Sequence, residues 1–207
     1  MAGEIEQCKT DCIRPVSDIS DKVASQLGNA VTVQFAFCSY KDYGDEDHLQ
    51  SIDFRGADAY EEVEALIGKQ NADGGGDTPE DMLNAFRAVA NFGWEDPADT
   101  QVMRIMVLIA DAPCHGPAYW PGDDTWPGDG DLMPAVLKEL TDRRINCCFS
   151  AIRLATQRME KAFEAHWDSQ GDVGCSFRTF QSRRETGDRI LENVVDSIQV
   201  LIQGSMA

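Results

Sequence analysis

The run Met103-Arg104-Ile105-Met106-Val107-Leu108-Ile109-Ala110-Asp111 carries a single charge, Arg104, before its closing aspartate. It is too short to cross a bilayer and has the length of a β-strand. Apolar residues on both of its faces point to a strand covered by helices on each side, as in a parallel sheet. Working outward, residues 111–130 read as a long Pro/Gly/Trp/Asp loop, 131–144 as a helix and 145–152 as a strand. A helix over 156–167, a short strand over 175–180 and a final helix over 187–203 follow. Upstream lie a strand over 31–38, a polar loop over 41–48, a weaker strand over 49–54 and a helix from Asp58 to about Lys69. Glu61, three residues after Asp58, suggests a capping box there. Thr78, with Pro79 behind it and Glu80 and Asp81 in the first turn, predicts the start of a helix reaching about Asn91. The chain opens with a helix over 4–27, broken near Pro15. Strands alternating with helices predict an α/β fold: a doubly wound, mostly parallel sheet flanked by helices, in a single domain over 1–207.

The 207 residues include 43% apolar and 26% charged positions, an ordinary globular balance. Asp and Glu number 36 against 18 Lys and Arg, a formal charge of -18. Such a surface repels phosphate backbones and anionic lipid, which argues against nucleic acid or a membrane and for a protein partner or a divalent cation. The N-terminus is acidic and has no apolar signal segment. Seven cysteines, an odd number with Cys147 and Cys148 adjacent, read as free thiols of a reducing, cytoplasmic compartment.

In open α/β sheets ligands bind beyond the carboxyl ends of the strands. Three features fall on that edge: Asp111, the glycine-rich Gly74-Gly75-Gly76-Asp77-Thr78, and the loop Tyr40-Lys41-Asp42-Tyr43-Gly44-Asp45. All offer oxygen ligands of the kind hard cations take. Asp111 reads equally as a carboxylate capping the turn that follows it. The glycine-rich loop is no Walker phosphate loop, because no Gly-Lys-Ser/Thr follows.

Gly75-Gly76-Asp77-Thr78-Pro79-Glu80-Asp81, taken with Leu108-Ile109-Ala110-Asp111-Ala112-Pro113-Cys114-His115-Gly116, resembles a von Willebrand factor A domain. The closest resemblance is to the A domains of alpha-type protein kinases, and it covers essentially the whole chain. It implies a protein-binding module, for adhesion or targeting, with Mg2+ at a metal-ion-dependent adhesion site. By position Asp111, Asp77 and Thr78 match metal ligands of that site. The family's first central strand and its Asp-x-Ser/Thr-x-Ser loop have no counterpart ahead of Met1. The expectation is therefore an N-terminally truncated domain whose metal site is partial and whose Mg2+ affinity is weak. The alternative implied by the same resemblance is a fragment of an alpha-type serine/threonine kinase whose catalytic domain lies outside this chain. On either reading the chain itself is not an enzyme.

Other residues attract blander readings. Cys114 and His115 are adjacent and lack a third orienting group, so they make a poor nucleophile and base; His115 reads as shaping the loop beside Asp111. Cys8 and Cys12 read as core residues of one helix face. Asp123, Asp124, Asp129 and Asp131 read as a solvated acidic loop, with Asp131 capping the next helix. Asp42 and Asp45 read as loop residues or as neighbours of the metal. Trp120 and Trp126 either anchor the loop or mark a partner surface.

Overall fold

The computed structural model describes residues 32–71, 75–96, 98–99, 102–171 and 174–181. The helices expected over 4–27 and 187–203, with Cys8 and Cys12, lie outside the described residues. Strand β1, Phe35–Tyr40, pairs antiparallel with β2, Leu49–Arg55. Helix α1, Tyr60–Gly68, follows a single 3-10 turn, Ala57–Ala59. Helix α2, Met82–Ala90, leads to β3, Arg104–Ala110. Then come α3, Asp129–Asp142, β4, Ile145–Ala151, α4, Gln157–Ser169, and β5, Phe177–Gln181. Strands β3, β4 and β5 form a parallel sheet in that order, with Leu108 opposite Phe149 and Phe149 opposite Thr179. The chain is thus α/β, with a three-stranded parallel sheet flanked by helices.

Among the described residues the expected single sheet is divided. β1 and β2 form a sheet of their own, so one of the pairings is antiparallel. Among the described residues, no strand joins the outer edge of β3 to that pair. The consequence shows in burial. All residues of β4, paired on both sides, are buried, whereas Val107 in the middle of β3 is 37% exposed. The fully covered strand is β4, although β3 reads as the more apolar of the two.

The core lies between the parallel sheet and α2, α3 and α4, around Phe86, Leu108, Leu137, Phe149, Phe163 and Trp167. Each buried aliphatic or aromatic side chain here contributes about 1.5–3 kcal/mol of transfer free energy. Val63 and Ile67 of α1 make a smaller cluster against Phe35, Phe37 and Ile52 of the hairpin.

Helix starts differ from the sequence expectation for local reasons. Asp81, and not Thr78, caps α2, accepting from the Asn84 N–H at 3.0 Å. The preceding backbone is otherwise engaged: Glu80 N–H donates to Pro113 O, and Asp81 N–H to Lys41 O. Asp58 sits within the 3-10 turn, and α1 starts without a side-chain cap. Helix α3 starts at Asp129, so Asp131 lies in its first turn and is not its cap.

Candidate metal centre

The two backbone bonds of the Glu80–Asp81 segment decide where chemistry can occur. They tie the loop after β1 and the loop after β3 to the loop ahead of α2. Three chain segments therefore meet beyond the carboxyl ends of β1 and β3, the position where open α/β sheets bind ligands.

His115, one of three histidines in the chain, is 1% exposed at this meeting point. Its Nδ1 is 2.7 Å from Asp124 Oδ1 and its Nε2 is 2.9 Å from Asp42 Oδ1. Asp124 is held in turn by the N–H groups of Gly116, at 2.6 Å, and Trp126, at 2.9 Å. Asp42 also accepts from the Tyr43 N–H at 2.7 Å. Asp77 enters from the glycine-rich loop, its Oδ2 accepting from the Thr125 N–H at 2.5 Å. Its Oδ1 is buried without a hydrogen-bond partner. One ligand atom from each of Asp42, Asp77 and His115 lies within 4.8 Å of the other two, a spacing that could hold a metal ion.

Tyr43 roofs the cluster. Its ring stacks on His115 at 5.8 Å and meets Trp126 at 4.9 Å, and its hydroxyl donates to Asp129 Oδ2 at 2.7 Å. Trp126 packs on Tyr43 as a loop anchor and remains 47% exposed.

The charges are strongly coupled. Burial works against protonated His115, but the hydrogen bonds to Asp124 and Asp42 outweigh it and raise the pKa above 6.5. Burial likewise opposes the Asp124 carboxylate; the N–H of Gly116, His115 and the N–H of Trp126 overcome this and lower its pKa. Glu80 is pushed up to about 8, first by burial and then by Asp42, Asp111 and Asp45. One of its carboxylate oxygens is buried and unpartnered.

Both upward shifts act in one direction on stability. A protonated His115 stabilises the fold fully below its unfolded pKa, and that contribution is lost as pH rises through its higher folded pKa. Glu80 binds its proton more tightly when folded, so the cost of ionising it accrues from about its unfolded pKa of 4.5 up to about 8. In chelator, the thermal midpoint is therefore expected to fall between pH 5 and pH 8. Glu80→Gln, which keeps shape and removes the charge, is expected to raise the midpoint at pH 8 and change it little at pH 4.5. Equal shifts at both pH values would show that ionisation of Glu80 is not the cause.

Of the metal ligands implied by the sequence, Asp77 is in this cluster. Thr78 is its exposed neighbour, and Asp111 lies with its Oδ2 3.8 Å from Arg153 Nε, outside the group of three. Asp124 is no solvated loop residue: its side chain is 6% exposed and holds His115. The role of His115 went unread because its partners are remote in sequence, Asp42 being 73 positions away. The available signal was a rare histidine in an acidic chain, placed between two aspartate-bearing loops.

No protein-family model matches the chain. It is similar to the alpha-protein kinase vwkA of Dictyostelium discoideum, with 27% identity over 202 residues. That match covers 95% of this chain and 31% of the kinase, so the chain spans about a third of the length of its curated relative. No helix among the described residues is long and apolar enough to cross a membrane.

Proposed function

We propose that this chain is a protein-binding module of the von Willebrand factor A type, used for adhesion or targeting, that engages its partner at the crest where the three loops meet. The convergence of Asp42, Asp77 and His115 beyond the strand ends carries this reading. A divalent cation held there by few protein groups keeps Lewis acidity for an acidic side chain of the partner. The half-exposed Trp126 beside it offers the apolar contact that protein interfaces favour. A partner chosen by an acidic group suits a chain of charge -18 only if a cation intervenes, because the bare surface would repel it.

The similarity to an alpha-protein kinase favours a second, compatible reading: a non-catalytic portion of such a kinase, with phosphoryl transfer supplied by another part of the protein. No candidate phosphate-binding lysine follows the glycine-rich loop here.

Both readings are tested on the isolated chain. Immobilised protein is expected to retain Asp- or Glu-bearing peptides in the presence of divalent cations and to release them in EDTA or after Asp77→Asn. Incubated with ATP and a basic protein substrate, it is expected to transfer no phosphate. Retention indifferent to chelator contradicts the first reading, and phosphate transfer contradicts the second.

A further inference from the structure

We infer that the cation of the Asp42–Asp77–His115 cluster is a borderline ion of the zinc class, and not magnesium. This deepens the binding-module reading and rests on it for the position of the cation.

The donor set is the first argument. Mg2+ takes oxygen in near-octahedral geometry and prefers water to imidazole, whereas zinc accepts imidazole and carboxylate in one tetrahedral set. The three residues here are two carboxylates and an imidazole. The second argument is the position of Asp124. Metal-binding histidines almost always give their other ring N–H to a carboxylate, a backbone carbonyl or a water, which fixes the tautomer and raises the basicity of the ligating nitrogen. Asp124 stands 2.7 Å from His115 Nδ1 in that role, locked by two backbone N–H groups. The other nitrogen, Nε2, lies 2.9 Å from Asp42 Oδ1, so a cation there would take the place of that hydrogen bond. The third argument is the buried Oδ1 of Asp77, a polar atom with no hydrogen-bond partner. A buried acceptor left unsatisfied keeps its full desolvation penalty, and a cation would remove it. Three protein ligands would leave zinc one open position, and an acidic side chain of a partner fits it.

Calorimetric titration of the metal-free full chain with Zn2+, in buffer containing millimolar Mg2+, tests the inference. One zinc per chain is expected, undisturbed by magnesium, with an imidazole contribution in the zinc-edge X-ray absorption spectrum. His115→Gln and Asp77→Asn are expected to abolish it. Asp124→Asn, which touches no ligand position, is expected to weaken binding by roughly 10–100-fold. Asp168→Asn on α4 controls for the general loss of negative charge. Circular dichroism confirms folding of each variant, and Asp77→Asn decides the matter if His115→Gln does not fold. Magnesium binding without zinc binding would overturn this inference and leave the binding module standing. Failure of both ions to bind would overturn both. Zinc binding unaffected by Asp77→Asn and Asp124→Asn would place the ion elsewhere and overturn the inference.

Discussion

Gly130→Ala is expected to lower the thermal midpoint sharply and to loosen the crest together with the core. A Cβ at Gly130 would lie 2.7 Å from the Cα of Gly116 and 3.3 Å from His115 O. Both are backbone atoms, so no side chain can swing aside, and the first turn of α3 must move away from the loop after β3. Overpacking of this kind costs about 1–3 kcal/mol, and two facing backbones place it at the upper end. The gain of about 1 kcal/mol in helix propensity for Ala over Gly does not offset that. A net loss of about 2 kcal/mol corresponds to roughly 4–8 °C in a domain of this size. Because Gly116 follows His115, the same change is expected to weaken cation binding. Gly128→Ala is the internal control: a Cβ there meets nothing within 4 Å. Its stability is expected to stay within roughly 1 kcal/mol of the parent. Similar losses in the two variants would show that the approach of Gly116 and Gly130 is not what holds this loop.

A chain carrying an added apolar parallel strand, with an Asp-x-Thr-Gly-Ser loop, ahead of Met1 is expected to be markedly more stable and less prone to aggregate. The outer edge of β3 and one edge of β1 are unpaired among the described residues. Each presents a row of backbone donors and acceptors that another chain could extend. The side chain of Val107 is 37% exposed where its neighbour in β4, Cys148, is fully buried. A strand pairing with such an edge would satisfy its backbone donors and acceptors. The stabilisation is expected on the scale of a domain's whole net stability, about 5–15 kcal/mol. Thermal unfolding and light scattering of the two chains provide the comparison. Equal midpoints and clean monomers for both would show that the two edges are already paired.

The alternation β3, α3, β4, α4, β5 was legible because apolar periodicity switches cleanly between strand and helix along residues 103–181. Boundaries were less so, and α2 shows why. Thr78, Asp81 and the proline between them all offer plausible helix starts. The choice falls to Asp81 because Pro113 and Lys41, both remote in sequence, capture the N–H groups of Glu80 and Asp81. The division into two sheets was not legible either. The apolar run 103–110 reads as a covered central strand, and nothing within it reports which edge lacks a neighbour. At the crest, local motifs pointed to loops that converge in the structure and to one of the converging residues, Asp77. His115 and Asp42 required tertiary pairing between loops, and Asp124 read as solvated because its partners, His115 and two backbone N–H groups, are gathered only by the folding of the long loop.

In the proposed function the three loops form a cation-binding crest through Asp42, Asp77 and His115. Anomalous diffraction at the zinc absorption edge, from crystals of the full chain grown with zinc, tests it most directly. One strong anomalous peak is expected, bounded by His115 Nε2 and the carboxylates of Asp42 and Asp77, with Asp124 still on His115 Nδ1. A peak beside Asp111 and Thr78, or no peak at the crest at full zinc occupancy in solution, would contradict it.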